Sequence, residues 1–284
     1  MAVLGLVAVL VVVLATVLIS HRPATSSAPA AGAGPELAAA PVAPAIAVVA
    51  AQRVSPADLA ALPPATTFGT VPDAPADPNV TTVPTGLVVH PTIAAAVYAS
   101  PGGPAIAALP VQQPTYATGQ QASDTWVPVI AEQPGWVQVL LASRPNGSTG
   151  WLALDSTIHT ASTPYRIEVN RASFTLRLVD QEVEIGRWTV GIGKPKSVTP
   201  QGRTFIVSSI KDSQPTFSPI ILPLGVHSDT YQTYGGGPGT VAVHGWPTPS
   251  VFGTASSDGC IRVPAAALTA ISSTVPLGTP VLIT

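Results

Sequence analysis

The sequence has 284 residues, a length that accommodates one large domain or two small ones. Only 9% of the residues are charged and the net charge is -2, so the chain lacks the positive field that gathers nucleic acid, and we expect no nucleic-acid partner. The 32 prolines, together with abundant Ala, Val and Thr, suit β-structure joined to extended stretches.

The amino terminus is a hydrophobic run. Residues 2–19 are apolar or small apart from Thr16, and about 20 apolar residues are enough to cross the bilayer core. The run predicts a signal peptide or a signal anchor over residues 1–20. It therefore predicts an exported protein at the extracytoplasmic face of the cell envelope, either membrane-anchored or associated with the cell wall. A core helix of a soluble domain is the alternative, but the run has no polar face.

Residues 21–85 are rich in Ala, Pro, Ser, Thr and Val. Such a composition buries too little large apolar surface to offset the entropy of the chain, and proline stiffens it. We therefore predict a disordered, extended tether over 21–85, whose removal together with the leader leaves activity nearly unchanged. One local exception is a short helix over 56–62, for which Ser55 is a candidate cap.

Residues 86–160 have the pattern of a small β domain, in which short β-like runs alternate with turn residues. The predicted strands cover 95–99, 105–109, 125–130, 136–141 and 150–154. The pieces VYASPGG, VPVIAEQPGWVQVLL and RPNGSTGWLAL resemble the bacterial SH3-like domains attached to wall-active enzymes, so a small SH3-like β-barrel is expected. Trp136 and Trp151 are candidates for a peptide or glycan groove, although burial in the core is the favoured interpretation.

Residues 164–284 are predicted to form a second β domain, and its first part, residues 165–208, has the pattern of an antiparallel meander. Alternating runs at 165–169, 174–179 and 182–190 are expected to form three strands joined by short turns, and another strand follows at 203–208. Residues 264–271 are rich in alanine and predict the one short helix of this region. The last apolar run, 280–283, is expected to close the sheet.

Cys260 is the single cysteine of the chain, which excludes an intramolecular disulfide and a cysteine-rich metal site. It ends a polar turn, Ser257-Asp258-Gly259-Cys260. A thiol becomes a strong nucleophile when a nearby imidazole or main-chain amides lower its pKa. Gly259 allows unusual backbone angles, close approach of a substrate, and N–H groups that point at one oxyanion. The turn is therefore a candidate nucleophile site.

A second candidate segment is a predicted strand, 241–245, that carries His244 near its end. Each candidate also has an inert interpretation, because a single cysteine is often a small buried hydrophobe and His244 could be a satisfied histidine. Arg262 follows the thiol by two residues, a spacing that places both side chains on one face of a strand. A metal site made from His90, His159, His227 and His244 is disfavoured, because these residues lie on scattered segments without ligand spacing.

Taken together, these segments resemble the L,D-transpeptidase family. Its signature is a His-Gly pair, a loop, and then Ser-x-Gly-Cys followed by an aliphatic residue and Arg or Asn. Here it reads HGWPTPSVFGTASSDGCIR, and IEVNRASFTLRLV, TVGIGKPKSVTPQGRTFI and YGGGPGTVAVHG resemble other parts of the family. The resemblance covers about 165–284. It implies a mainly β fold, an L,D-transpeptidase-like β-sandwich or meander with one short helix.

The resemblance also implies catalytic roles. Cys260 would be the nucleophile and His244 its proton partner, while the main-chain carbonyl of Gly245 would orient the imidazole ring. Asp258 stands where the family often has a histidine, at a position that looks variable, so no catalytic role is assigned to it.

Other positions are implied to bind or shape the substrate. Ser257 and Gly259 would shape the oxyanion pocket, and Arg262 would hold the loop or a substrate carboxylate. Trp246 replaces a small polar residue and is expected to narrow or extend the acceptor side. His227 matches a family segment near the pocket and is a secondary candidate, with a plain loop residue as the favoured alternative.

The implied reaction is a two-step acyl transfer on peptidoglycan stem peptides, without metal or cofactor. A donor tetrapeptide loses its terminal D-alanine to give a thioester on Cys260, and the side-chain amine of an acceptor stem then forms a cross-link between third-position diamino acids. Carbapenems acylate the cysteine of this family and are expected inhibitors. Water as acceptor would give an L,D-carboxypeptidase, a protein amine a wall-protein ligase, and a silent site a wall-binding protein; these alternatives stay open.

Overall fold

The structure is a computed structural model that describes residues 47–115, 122–211 and 217–284. The predicted leader over 1–20 and the first part of the predicted tether, up to residue 46, lie outside the described residues. Among the described residues, no helix is long and apolar enough to span a bilayer. Residues 46–284 group into one compact unit.

The first helix, α1 (Pro56–Ala61), confirms the predicted local exception. The Ser55 hydroxyl accepts a hydrogen bond from the Asp58 N–H at 3.1 Å, which satisfies one of the amides that a helix start leaves without a partner. The helix ends at Ala61, and the next residue, Leu62, has the extended backbone that is favoured before a proline.

The prediction of a disordered tether up to residue 85 is wrong for residues 62–85, here called the packed segment. The side chains of Ala65 and Val71 are fully buried in it. Their amides donate to the carbonyls of Ala108 and Arg144, both at 2.8 Å. The proline-rich composition is typical of disorder, but a proline has no N–H that needs a hydrogen-bond partner. A segment of prolines and small residues can therefore pack with few main-chain hydrogen bonds.

A seven-stranded sheet follows, with the spatial order β3-β2-β8-β7-β6-β1-β9 and a separate small ribbon of β4 and β5. All of its paired neighbours run antiparallel. The strands are β1 (Leu87–Pro91), β2 (Ala95–Tyr98), β3 (Ala105–Leu109), β4 (Gln112–Pro114), β5 (Ala122–Asp124), β6 (Val127–Gln133), β7 (Trp136–Leu140), β8 (Thr149–Ala153) and β9 (Ile158–Ser162).

The five predicted strands correspond to β2, β3, β6, β7 and β8, and the remaining strands were not predicted. Trp136 is 1% exposed and donates from its indole N–H to the Val49 carbonyl at 2.7 Å, so it packs as favoured. Trp151 is half-buried. The assignment of this sheet to the SH3-like domains stays a prediction.

The remaining chain forms two larger sheets and one small pair. Their spatial orders are β12-β11-β10-β20-β14, β15-β16-β17-β19 and β13-β18. The elements are β10 (Tyr165–Asn170), β11 (Thr175–Asp180), β12 (Val183–Thr189), β13 (Ile192–Gly193), β14 (Gly202–Phe205), β15 (Ile210–Lys211), β16 (Ile220–His227), β17 (Thr240–Gly245), a 3-10 helix (Pro249–Val251), β18 (Ala255–Ser257), β19 (Ile261–Val263), α2 (Ala265–Thr274) and β20 (Pro280–Ile283).

The predicted hairpins β10-β11-β12, the short helix and the closing strand are all present. The region is not purely antiparallel, however, because β20 pairs in parallel with β10 and β19 pairs in parallel with β17. Parallel pairing needs a long connection that returns the chain to the same end of the sheet. The stretch between β17 and β19, which contains the 3-10 helix and β18, provides that return.

Two buried clusters support these sheets. One belongs to the carboxy-terminal region and includes the inward-facing Val243, Ile261 and Val263 together with Leu268 and Ile271 of α2. The other fills the amino-terminal region. Phe205 and Val207, at the end of β14 and just beyond it, pack in the second cluster, so the two regions share apolar core.

A buried ion pair joins the same two regions. The guanidinium of Arg203, on β14, donates to both carboxylate oxygens of Asp77 in the packed segment, at 2.6 and 2.5 Å. The two side chains are only 5% and 1% exposed. This bidentate geometry is the strong form of an arginine–carboxylate contact, so the packed segment is fixed to the second region as well as to the first.

Candidate active site

The pairing of β17 with β19 brings the two predicted catalytic residues onto one face. His244 lies opposite Arg262 in the register, so Cys260, two residues before Arg262, lies beside Ala242. Side chains two residues apart on a strand share a face, and a diagonal of this kind separates Cα atoms by about 8 Å in adjacent strands. Cys260, His244 and Arg262 line one pocket of about 190 Å³.

The imidazole of His244 is held in one orientation. Its Nδ1 lies 2.8 Å from the Gly245 carbonyl oxygen, and because a carbonyl can only accept, Nδ1 carries the proton. When the ring is neutral, Nε2 therefore carries the lone pair. The Gly245 amide donates to the Ser218 hydroxyl at 2.8 Å, and that hydroxyl donates to the Ile220 carbonyl at 2.6 Å. The contact between the Gly245 carbonyl and Nδ1 of His244 is the one that the resemblance implies for Gly245.

Aromatic rings enclose the imidazole. The ring of Phe217 meets it edge-on with centroids 5.0 Å apart, and the ring of Trp246 lies 6.0 Å away. His244 is 7% exposed. Burial lowers the pKa of His244, the positive charge of Arg262 acts in the same direction, and the hydrogen bond to Gly245 opposes both. His244 is therefore neutral at pH 7, as a base must be.

The thiol of Cys260 is half-buried. Burial raises the pKa of this thiol, and a hydrogen bond with the main chain of Ala242 and the charge of Arg262 act in the opposite direction without cancelling that effect. The expectation that the turn lowers the pKa of the thiol is therefore wrong for the resting protein. Cys260 and His244 rest as a neutral thiol and a neutral imidazole.

The nucleophile turn, residues 257–260, is fixed by hydrogen bonds to each of its four carbonyls. Three donors come from the bracing loop, residues 194–199, and the fourth is the hydroxyl of Ser257 itself. The bonds are Lys194 N–H to Ser257 O at 2.9 Å, Ser197 Oγ to Asp258 O at 2.7 Å, Thr199 Oγ1 to Gly259 O at 2.8 Å, and Ser257 Oγ to Cys260 O at 2.6 Å. The position of the thiol is thus set by a loop some sixty residues earlier in the chain.

Gly259 has a φ of +121°, a backbone angle that side chains rarely permit. Its N–H donates to the Ser257 hydroxyl at 3.1 Å. The Gly259 N–H is therefore occupied within the turn, while the role of Ser257 and Gly259 in shaping an oxyanion pocket stays a prediction. Ser257 and Gly259 build the turn that presents the thiol.

Arg262 holds the loop by side chain and main chain. Its guanidinium lies 3.7 Å from the centroid of the Trp246 ring, a cation–π contact, and Nη1 donates to the Ser256 carbonyl at 3.5 Å. Its main chain exchanges two hydrogen bonds with Gly191. Within the described residues, its buried Nε has no hydrogen-bond partner. Trp246 therefore packs on Arg262 as well as near His244.

Asp258 is engaged in ion pairing at the pocket rim. Its carboxylate lies 2.5 Å from the Lys194 ammonium and accepts from the hydroxyls of Tyr234 at 3.0 Å and Tyr231 at 3.4 Å. The hydrogen bond from Lys194 is the largest cause that lowers the pKa of Asp258. The ionised carboxylate thus ties the nucleophile turn to two pocket tyrosines.

His227 lies away from this pocket. It is fully buried at the end of β16, and its Nε2 donates to the Thr67 carbonyl at 2.7 Å. Burial lowers its pKa to about 4, so it is neutral and structural here, and its candidacy as a pocket residue is wrong. Within the described residues, no group of three or more His, Cys, Asp or Glu side chains could hold a metal ion.

The sequence reasoning missed Ser218, Ser197 and Thr199. Ser197 and Thr199 lie in the segment TVGIGKPKSVTPQGRTFI, which resembles the family, but nothing in that segment indicates that their hydroxyls bond the nucleophile turn. Phe217 was missed too, since a single aromatic residue in a loop gives no periodic signal.

Comparison with known proteins decides the family. The family profile described as the L,D-transpeptidase catalytic domain, YkuD, matches residues 164–283. A relative from Bacillus licheniformis that bears the L,D-transpeptidase name YkuD is 31% identical over 153 residues, which cover 52% of this chain and 86% of the relative. The chain belongs to the L,D-transpeptidase family.

Solved L,D-transpeptidases are also similar to this L,D-transpeptidase chain. The enzyme from Mycobacterium smegmatis has 15% identity and a TM-score of 0.35, over 52% of this chain and 90% of that one. The catalytic domain of the E. faecium enzyme has 21% identity and a TM-score of 0.33, over 42% and 96%. At these TM-scores the structures add nothing to the assignment, which rests on the sequence matches.

Proposed function

We propose that this protein is a peptidoglycan L,D-transpeptidase that cross-links third-position diamino acids of two stem peptides through a thioester on Cys260. One observation carries the proposal. The bond from Nδ1 of His244 to the Gly245 carbonyl leaves the Nε2 lone pair as the only basic site of an imidazole that shares a pocket with the chain's single thiol.

In the first step, Nε2 of His244 takes the proton of the Cys260 thiol as the sulfur attacks the carbonyl carbon of the third stem residue. The bond from that carbon to the nitrogen of the terminal D-alanine then breaks, and the imidazolium returns the proton to the leaving amine. A thioester and free D-alanine result. General-base transfer during the attack suits a pair that rests neutral.

In the second step, the side-chain amine of the acceptor stem attacks the thioester carbon. His244 accepts a proton from this amine and delivers one to the departing sulfur, so an amide forms and the thiol is restored. The acceptor must be a neutral amine at the moment of attack, and a buried neutral imidazole is a suitable base for it.

The oxyanion needs a donor other than the Gly259 amide. We place this role on the main-chain N–H of Cys260. The N–H and C=O of one peptide unit point in opposite directions, and the carbonyl of that unit, from Gly259, is directed at Thr199 in the bracing loop. The N–H therefore points away from the bracing loop.

Export to the cell envelope and acylation of Cys260 by carbapenems complete the proposal. Membership of the L,D-transpeptidase family supports both, because stem peptides lie outside the cytoplasm and carbapenems carry a strained carbonyl that a stem-binding thiol can attack. Arg262 is proposed to hold the loop before Cys260 through its contacts with Trp246 and Ser256. Its Nε, which has no hydrogen-bond partner among the described residues, is the atom we propose for any contact with a substrate carboxylate.

Intact mass after incubation with a muropeptide tetrapeptide donor tests the proposal. A mass gain equal to the donor minus D-alanine is expected, lost in Cys260→Ala and strongly slowed in His244→Gln. His159→Gln, at an exposed strand position, is the matched control and should react like wild type. Cross-linked dimers support the transpeptidase, free tripeptide alone would indicate a carboxypeptidase, and no adduct with donor or carbapenem would leave a binding protein.

A further inference from the structure

One wall of the pocket is formed by the pocket loop, residues 228–239. Ser228, Tyr231, Tyr234 and Gly239 of this loop line the pocket. The two tyrosine rings pack against each other with centroids 5.6 Å apart, and both hydroxyls donate to Asp258, next to the nucleophile turn's glycine. The shape of the pocket therefore depends on where this loop is held.

The loop is held from behind by a residue of the other region. Arg144 lies between β7 and β8, and its guanidinium donates to three main-chain carbonyls of the loop: Ser228 at 3.5 Å, Tyr231 at 3.3 Å and Pro238 at 3.1 Å. Those carbonyls lie near both ends and the middle of the loop. The planar guanidinium group thus fixes the path of the loop with several N–H donors at once. The ammonium group of a lysine does not reproduce this geometry.

Two neighbouring features are built around this contact. Gly239 has a φ of +71°, and a Cβ on it would lie 2.1 Å from the Tyr231 carbonyl oxygen and 3.3 Å from Nη2 of Arg144. Asn146 exchanges hydrogen bonds with the main chain of His227 on both sides, and donates to the Asp229 carboxylate at 3.1 Å. The loop is closed tightly over the guanidinium and secured again at its start.

The backbone of Arg144 is fixed in turn by the packed segment. Its N–H donates to the Gly69 carbonyl at 3.0 Å, and its carbonyl accepts from the Val71 N–H at 2.8 Å. The chain from the packed segment through Arg144 to the pocket loop and Asp258 is therefore a continuous series of hydrogen bonds. It ends beside the thiol without touching it.

We propose that Arg144 is a positioning residue for the substrate wall of the catalytic pocket. The proposal rests on the proposed transpeptidase function, since it assigns Arg144 to the binding of the stem-peptide donor. Although Tyr231 and Tyr234 bond the Asp258 side chain, the four main-chain carbonyls of the nucleophile turn are held by the loop at 194–199 and by Ser257, without Arg144. Loss of Arg144 should therefore loosen donor binding while leaving the thiol where it is.

The test separates peptide binding from thiol reactivity. In Arg144→Ala, the KM for the tetrapeptide donor should rise about ten- to a hundredfold, the scale on which misplaced contacts reduce turnover. Alkylation of Cys260 by iodoacetamide should stay within about twofold of wild type, because that small probe does not use the wall. Arg144→Lys should resemble the alanine variant, and Arg187→Ala, on an exposed arginine of β12, is the matched control.

An unchanged KM in Arg144→Ala would overturn the inference, and so would equal losses of donor turnover and of alkylation. If Arg144→Ala fails to fold, Arg144→Lys decides, and a wild-type KM in that variant overturns the proposal. Wild-type protein that forms no adduct with the donor would instead count against the proposed function, so the two failures are distinguishable.

Discussion

The nucleophile turn and the pocket loop line the same pocket, yet they are held in different ways. The turn has its four carbonyls bonded within the carboxy-terminal region, three of them by the bracing loop. The pocket loop is fixed through Arg144 from the amino-terminal region. The difference indicates that the reactive groups are held from inside the catalytic domain, whereas the pocket wall that we propose receives the peptide is also held from outside it.

Removing the packed segment should have the largest effect. A chain that begins at residue 86 loses buried Ala65 and Val71, both main-chain bonds to Arg144, and the carboxylate partner of buried Arg203. We expect it to lose cooperative thermal unfolding and most donor turnover. A chain that begins at residue 47 is the control. Equal melting temperatures and turnover for the two would restore the idea of a tether that extends to residue 85.

Asp77→Ala tests one link of that segment. It leaves a buried guanidinium without its carboxylate, which typically costs about 3–5 kcal/mol of unfolding free energy. Urea unfolding should show this loss, and replacing Asp77 and Arg203 together by apolar residues should cost less than Asp77→Ala alone. Glu182→Ala, which removes an exposed ion pair, is the control. An equal loss of unfolding free energy in the two variants would contradict the buried pairing of Asp77 with Arg203.

Thr199→Val tests the other side of the comparison. The valine keeps the shape but removes the hydroxyl that bonds both the Gly259 carbonyl and the Gly193 amide. We expect kcat to fall up to about a hundredfold with little change in KM, and about 1–3 kcal/mol of stability to be lost. Thr157→Val, whose hydroxyl bonds only the nearby Asp155, is the control. A rise in KM with unchanged kcat would reverse the assignment of the two sides.

The smallest expected effect is a loss of folding stability at acidic pH, caused by His227. The pKa of His227 is about 4 in the folded protein and about 6.5 when unfolded. As the pH falls, the unfolded chain therefore binds a proton at a higher pH than the folded protein does. The stability that is present above pH 6.5 should be lost as the pH falls towards 4, by at most about 3 kcal/mol. His227→Gln keeps a donor for Thr67 and should remove this dependence. An identical pH profile of unfolding in both proteins would contradict the buried neutral state.

The sequence predicted the parts of this molecule that carry local patterns. The hairpins from β10 to β12, the capped helix α1, the strand that ends at His244 and Gly245, and the turn that ends at Cys260 all follow from periodicity, caps and the family signature. The packed segment could not be predicted, because its side chains are small and its bonds go to distant residues such as Arg144. The contact of Thr199 with Gly259 leaves no periodic trace for the same reason.

The pKa of the thiol was predicted in the wrong direction because the turn's donors are used within the turn. The Gly259 amide donates to the Ser257 hydroxyl, and the burial of Cys260 then dominates the pKa of its thiol. Motif residues indicated which groups react. The burial of the two groups indicates in which protonation state they rest.

The rate of iodoacetamide alkylation of Cys260 as a function of pH tests the neutral thiol–imidazole pair most directly. The rate should rise with pH through a pKa above the ordinary cysteine value, with no plateau of high reactivity at lower pH, and Cys260→Ala should show no reaction. A plateau that persists below pH 7 and disappears in His244→Gln would show a resting thiolate–imidazolium pair, and would contradict the account.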